Sequence, residues 1–225
     1  MDAEYEPRPA TVFVVDDDTS VRDSLRWLVE SVGLKAETFS DAHDLLHKCS
    51  PERPGCFVLD VRMPGMSGLE LQEQLASRDF RQPVIIMTAY GDVPMAVRAM
   101  KRGAVYFFEK NSSNQILLEQ IQAALKEDDD RRRVEDAGRV VRERYQKLTA
   151  REIEVLDLVT AGLSSKEIGV KLGVSFKTVE AHRAKIMKKM EADSVPHLIR
   201  MYVAATGAAP LAPIAASRNG EATHA

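Results

Sequence analysis

Four short apolar runs, each closing on a polar residue, constrain this chain most. Thr11–Val15 runs into Asp16-Asp17-Asp18, and Cys56–Leu59 ends in Asp60. Val84–Met87 ends in Thr88, and Val105–Phe108 precedes Glu109-Lys110. Continuous apolar runs without alternation predict strands buried on both faces, as in a parallel sheet. A weaker run over Lys35–Phe39 fits a further strand, second in order along the chain. Between them the apolar residues take a helical period. Val21, Leu25, Leu28, Val29 and Val32 form one stripe, Leu69, Leu71 and Leu75 another, and residues 93–100 and 116–125 follow the same rule. Strand–helix units of this length predict an α/β domain with a doubly wound parallel five-stranded sheet over residues 11–125.

In such a sheet the polar groups at the carboxyl ends of the strands converge on one edge, where ligands bind. Asp16, Asp17, Asp18 and Asp60 would form an oxygen-rich cup suited to a hard divalent cation such as Mg²⁺. Without a cation, crowded carboxylates repel and raise one another's pKa. The Thr88 hydroxyl and the Lys110 ammonium would suit the oxygens of a phosphoryl group. The expected chemistry is phosphoryl transfer to a carboxylate, with a metal and a lysine neutralising charge.

The net charge of −3 conceals a division. Residues 1–125 carry 13 basic and 19 acidic side chains, and residues 126–138 carry 4 and 6. Residues 139–206 reverse the balance with 13 basic and 8 acidic. An acidic part joined to a basic part predicts two domains with different partners. The expected layout is an N-terminal extension at 1–10, the α/β domain at 11–125, a charged linker or helix at 126–143, a second domain at 144–206 and a disordered tail at 207–225. The run from Lys126 to Arg133 is nearly all charge and is expected to be solvated. Cys49 and Cys56 lack metal-site spacing and suit free thiols in a reducing cytoplasm. The first residues carry no apolar signal region, and no stretch of about 20 apolar residues predicts a membrane span.

The basic part reads as a small all-α four-helix domain. Thr149 and Glu152 form a capping box, and Ile153, Val155, Leu156 and Val159 supply a buried stripe before Gly162. Ser164 or Ser165 opens a second helix, stopped by Gly173, and a third runs from Phe176 to Met190. Two helices joined by about three residues with a glycine form a helix-turn-helix. In the third helix Val179, Ile186 and Met190 face a core, while Lys177, His182, Lys185, Lys188 and Lys189 project elsewhere, towards phosphates.

Val15-Asp16-Asp17-Asp18, the run Leu59-Asp60-Val61-Arg62-Met63-Pro64-Gly65-Met66-Ser67-Gly68, Thr88-Ala89 and Glu109-Lys110 resemble the receiver domain of bacterial two-component response regulators. Residues 91–104 are similar to its FixJ-like branch. Residues 148–156, 162–168 and 178–190 resemble the LuxR-type (NarL/FixJ) DNA-binding domain. The resemblance implies a flavodoxin-like receiver followed by a helix-turn-helix output domain. It implies that Asp60 accepts a phosphoryl group from a sensor histidine kinase. Mg²⁺ would be held by Asp17, Asp60 and the main-chain carbonyl of Arg62, with Asp16 assisting. Thr88 would bond a phosphoryl oxygen, Lys110 would pair with its charge, and Thr88 and Phe107 would form the switch. Glu180, Ala181 and Ala184 would face base edges of double-stranded DNA, and Lys177, Thr178, His182, Lys185 and Lys188 would meet the backbone or flanking bases. The last helix, over 194–203, would serve dimer contacts. A phosphorylated homodimer would regulate transcription, activating RNA polymerase, in the cytoplasm.

One departure concerns the lysine loop. Relatives follow the lysine with a cis proline, whereas this chain has Lys110-Asn111-Ser112-Ser113. A cis bond before a non-proline residue costs about 2.5–4 kcal/mol, so either the loop relaxes to trans and Lys110 shifts, or packing forces the bond; altered switching is expected. Two other function classes fit parts of the pattern. One is a constitutive DNA-binding regulator with a non-switching receiver. The other is an aspartate-nucleophile phosphohydrolase of the haloacid-dehalogenase type, which would leave Asp60 idle.

Overall fold

The computed structural model describes residues 9–207. The expected N-terminal extension falls almost wholly, and the tail beyond Gly207 entirely, outside the described residues. The chain divides into two units, one to Arg133 and one from Val134.

The first unit alternates β1 (Thr11–Val15), α1 (Thr19–Ser31), β2 (Lys35–Phe39), α2 (Ala42–Lys48), β3 (Gly55–Asp60), α3 (Gly68–Ser77), β4 (Val84–Thr88), α4 (Val93–Lys101) and β5 (Ala104–Glu109), then enters α5 (Asn114–Gln146). The five strands are parallel in the order β2-β1-β3-β4-β5. The order reverses between β1 and β3, so the ends of these two strands flank the crevice where doubly wound sheets bind ligands. Alternate residues of each strand feed opposite cores. Phe13, Val15, Phe57, Leu59 and Ile86 pack on the α2–α4 side with Leu45, Leu71 and Leu75. Val12, Val14, Cys56, Val58, Ile85 and Met87 pack with Leu25, Val29, Leu117 and Ile121 of α1 and α5.

Two details go beyond the expected pattern. The helix α2, implied by the alternation of strands and helices, had no apolar stripe strong enough to place it; Asp41 caps it by accepting from the Asp44 amide. The charged run, expected as a linker or a helix, is helical but begins no new element: α5 starts at Asn114 and continues through it to Gln146. Asp128 within that run is 1% exposed, because it continues the inward stripe of Leu117, Ile121 and Ala124.

The second unit holds the last part of α5, then α6 (Ala150–Thr160), α7 (Ser165–Leu172), α8 (Phe176–Met190) and α9 (Val195–Thr206). Thr149–Glu152 and Ser164–Glu167 are reciprocal capping boxes. Gly173 ends α7 in the left-handed region (φ 66°), where only glycine is unstrained. The core joins Val155, Leu156, Val159, Ile168, Val179, Ile186, Met190, Leu198, Met201 and Tyr202, with Val141 and Tyr145 of α5 packed against it. No described helix is long and apolar enough to cross a membrane.

Candidate functional site

Three strand ends and one loop build the site of the first unit. Asp16 follows β1 and is fully buried, Asp60 ends β3 at 3% exposure, and Thr88 ends β4 at 1%. Lys110 follows β5; its Nζ lies 2.7 Å from Asp16 Oδ2 and 2.7 Å from Asp60 Oδ1. The other oxygens are engaged locally: Asp16 Oδ1 accepts from the Asp18 amide at 3.0 Å, and Asp60 Oδ2 from the Arg62 amide at 2.7 Å. Burial raises the pKa of Asp16, and the bonds from Lys110 and the Asp18 amide only partly offset it. Burial alone would lower that of Lys110, but its bonds to Asp16 and Asp60 hold it above the ordinary lysine value. Two buried carboxylates against one ammonium leave a net negative charge.

The remaining residues arrange the surroundings. Asp18 is the cap of α1, accepting from the Ser20 amide at 2.8 Å. Asp17 is exposed. Arg22 of α1 donates to the main-chain oxygens of Asp16 (2.7 Å) and Asp17 (2.9 Å), pinning the acidic loop. The Thr88 hydroxyl is held loosely by the Tyr90 main chain, at 3.4 Å to its oxygen and 3.3 Å from its amide. Phe107 is half-buried against the α2–α4 core. Gly68 opens α3 directly against β3: a Cβ there would lie 2.1 Å from the Asp60 main-chain oxygen.

Among the described residues, no three acidic, histidine or cysteine side chains stand gathered as a ready metal site. Asp16 and Asp60 converge, with Lys110 between them, while Asp17 faces solvent. Their donor chemistry nonetheless suits a hard divalent cation: all-oxygen ligands carrying negative charge.

In the second unit, Val179, Ile186 and Met190 are buried. At about 100° per residue, Lys177, Ala181, Ala184, Lys185 and Lys188 fall on the opposite face of α8, within an arc of roughly 100°, and all five are exposed. An exposed helix face carrying three lysines and two alanines leaves room for close approach to a phosphate-lined groove.

These two arrangements agree with the comparisons. The receiver-domain family of response regulators matches residues 12–122, and the family described as bacterial regulatory proteins, luxR family, matches 146–202. The transcriptional regulatory protein TdiR of Thauera aromatica is 44% identical over 203 residues, covering 90% of this chain and 89% of that protein. This chain belongs to the FixJ-like two-component response regulators. The transcriptional regulatory protein FixJ of Azorhizobium caulinodans is likewise 44% identical, over 91% of this chain and 96% of its own. The solved structure of the response regulator StyR superposes with a TM-score of 0.82 at 44% identity, covering 87% of this chain and 98% of that one. The family is one of transcriptional regulators, not of enzymes.

Within this response regulator, several side chains expected at the DNA have partners inside the domain. Glu180 accepts from the Ser165 hydroxyl and lies 3.9 Å from Arg183, so it ties α8 to α7. Thr178 bonds the capping Ser175, whose Oγ is 2.8 Å from its own. Lys189 reaches back to Glu152 (2.6 Å) and the Lys147 main-chain oxygen (3.1 Å). The His182 ring is half-buried, and its Nδ1 has no hydrogen-bond partner among the described residues. Among the described residues no peptide bond is cis, so the Lys110–Asn111 bond is trans, yet Lys110 reaches both carboxylates. Arg22 escaped sequence reasoning, since nothing local marked it; Gly68 stood in the motif run, but its close approach to Asp60 did not show there.

Proposed function

We propose that this response regulator takes a phosphoryl group onto Asp60 from the phosphohistidine of a sensor histidine kinase, dimerises, and regulates transcription through paired output domains, as an activator acting on RNA polymerase. The observation that carries the reading is the Lys110 ammonium shared between Asp16 and Asp60 at the sheet's switch point. A carboxylate oxygen of Asp60 forms the new P–O bond as the histidine P–N bond breaks. Lys110, already oriented, neutralises charge that gathers on the phosphoryl oxygens. Thr88, loosely held, turns its hydroxyl to one of those oxygens. Phe107 follows into the space that the threonine leaves, which is the two-state element that phosphorylation biases. Asp16, Asp17, Asp60 and the Arg62 carbonyl would hold Mg²⁺, which when bound supplies charge neutralisation for the transfer. The receiver thus promotes only its own phosphorylation and hydrolysis, and acts in the cytoplasm.

In the output domain the exposed face of Lys177, Ala181, Ala184, Lys185 and Lys188 enters the major groove of double-stranded DNA. Thr178 and His182 flank it at the backbone, and Glu180 reads an edge base with the oxygen that Ser165 leaves available. Alanines read little beyond a thymine methyl, so selectivity rests partly on DNA shape. The test is Asp60→Asn. The variant is expected to form no acid-stable, hydroxylamine-labile phosphoprotein with a small phosphodonor, and to bind two-site DNA no better with donor than without. A variant that still responds to the donor like the wild type refutes the assignment.

A further inference from the structure

The charged run, expected to be solvated, holds a buried carboxylate on the sheet edge opposite the phosphorylation site. Asp128 Oδ2 accepts from the Gly55 amide, the first of β3, at 2.9 Å, so a side chain of α5 extends the sheet's hydrogen bonding at that edge. Arg132 Nε donates to the same oxygen at 2.7 Å, and Arg131 pairs with Asp128 Oδ1. The Arg132 guanidinium then spends its remaining donors on main-chain oxygens of the loop before β3: Glu52 at 3.0 Å, Pro51 at 3.2 Å and Arg53 at 2.9 Å. Gln82 donates to two of these carbonyls, Pro51 at 3.1 Å and Arg53 at 2.7 Å, which fixes the loop from β4's side. Gly55 cannot be replaced, since a Cβ there would lie 1.9 Å from the Thr11 main-chain oxygen. A planar guanidinium presenting its donors to one carboxylate and three carbonyls is a specific fit that lysine could not reproduce.

Beyond Arg132 the support changes kind. From Arg133 to Val140 no residue of α5 is buried, Val134 is 74% exposed, and Gly138 interrupts the run of better helix formers. The supports there include exposed intrahelical pairs, Arg133–Asp129, Arg139–Asp136 and Arg139–Glu143. Such pairs are weak, and a short helical stretch that buries no residue is marginal in water.

We propose that Asp128 and Arg132 form a latch that makes residues 126–132 part of the receiver, confines the yielding part of the connection to 133–140, and thereby limits which spacings of paired DNA half-sites the dimer accepts. The last clause rests on the reading above of paired output domains. A connection yielding over eight residues reaches less far than one yielding over the whole charged segment, because the span of a flexible chain grows with the root of its length.

Full-length Asp128→Asn and Arg132→Gln test this; the second leaves the Asp128 bonds to Gly55 and Arg131 in place and guards against a misfolded first. Amide hydrogen exchange over 126–132 is expected to be as slow as over 117–125 in the wild type and at least tenfold faster in both variants. The rate of phosphorylation by acetyl phosphate is expected to stay within twofold, since the latch lies at the far ends of the strands. Binding is then compared on duplexes carrying two copies of a half-site selected from random DNA, at the preferred spacing and at five base pairs more. The wild-type preference is expected to fall at least fivefold in the variants. Unchanged exchange overturns the latch itself. Faster exchange with an unchanged preference overturns its control of spacing. A wild type indifferent to spacing overturns the proposal through its premise of paired half-sites, and the exchange data separate that failure from the others.

Discussion

Replacing Lys110 with Met keeps the length of the side chain and removes the one ammonium between two buried acids. Removing one partner from a buried ion pair costs about 3–5 kcal/mol, because a charge is left uncompensated. Two features of the structure argue for the lower end here. The lysine side chain is 21% exposed, so water screens part of the pair, and each acid keeps a main-chain amide bond, from Asp18 and from Arg62. The expected loss is therefore about 3 kcal/mol, a large share of the 5–15 kcal/mol typical of a domain. Urea unfolding in EDTA measures it, followed by fluorescence of Trp27, which is the chain's one tryptophan and lies in α1 of the receiver. Mg²⁺ at ten times its Kd should return about 1.4 kcal/mol. Removing one of the crowded acids as well, in Lys110→Met with Asp60→Asn, should recover part of the loss, a coupling that a double-mutant cycle reads directly. If Lys110→Met unfolds within about 0.5 kcal/mol of the wild type in EDTA, the lysine is not compensating the two carboxylates.

Gly68→Ala forces a Cβ against the Asp60 main-chain oxygen. It should cost about 1–3 kcal/mol in the same urea assay and slow phosphorylation, as overpacking moves α3 off β3; an unaffected variant contradicts the close approach. In the output domain, burial would push Glu152 up, but Lys189 and Thr149 outweigh it and hold the carboxylate below its usual pKa of 4.5. Its stabilisation is present above pH 4.5 and is lost as the pH falls through the lowered value. Glu152→Gln should therefore destabilise the α6–α9 unit by about 1–2 kcal/mol at pH 7 and flatten its acid titration by circular dichroism; equal slopes refute the assignment. Burial pushes the Cys49 thiol up to about 11 and the Cys56 thiol higher still. Native protein at pH 8 should leave both unreactive to Ellman's reagent, with two thiols appearing in urea, and rapid native labelling refutes their burial.

Local chemistry made much of this protein legible in its sequence. A strand buried on both faces must be a continuous apolar run, so four runs located β1, β3, β4 and β5, and with them Asp16, Asp60, Thr88 and Lys110 at one edge; the partly exposed β2 left only the weaker run Lys35–Phe39. Capping chemistry is equally local, which is why Thr149, Ser164 and Gly173 marked the output helices. The 3.6-residue period put Val179, Ile186 and Met190 inside α8 and Lys177, Lys185 and Lys188 outside. The short helix α2 was not placed because its seven residues, with two histidines and a lysine, carry too weak a stripe to register.

Tertiary structure decided how charges pair. Composition made residues 126–133 look uniformly solvated, yet Asp128 is buried, because an amide of β3, 73 residues earlier, needs an acceptor there. The same holds for Lys189, drawn to Glu152 rather than left facing outward, and for Glu180, held by Ser165 of the preceding helix. Sequence periodicity says which face of an element turns inward. It cannot say what a charged group meets there, since partners far apart in the chain leave no common local pattern. The strand ends and helix faces were therefore written in the sequence, while the ion pairs that connect them were settled only when the chain folded back on itself.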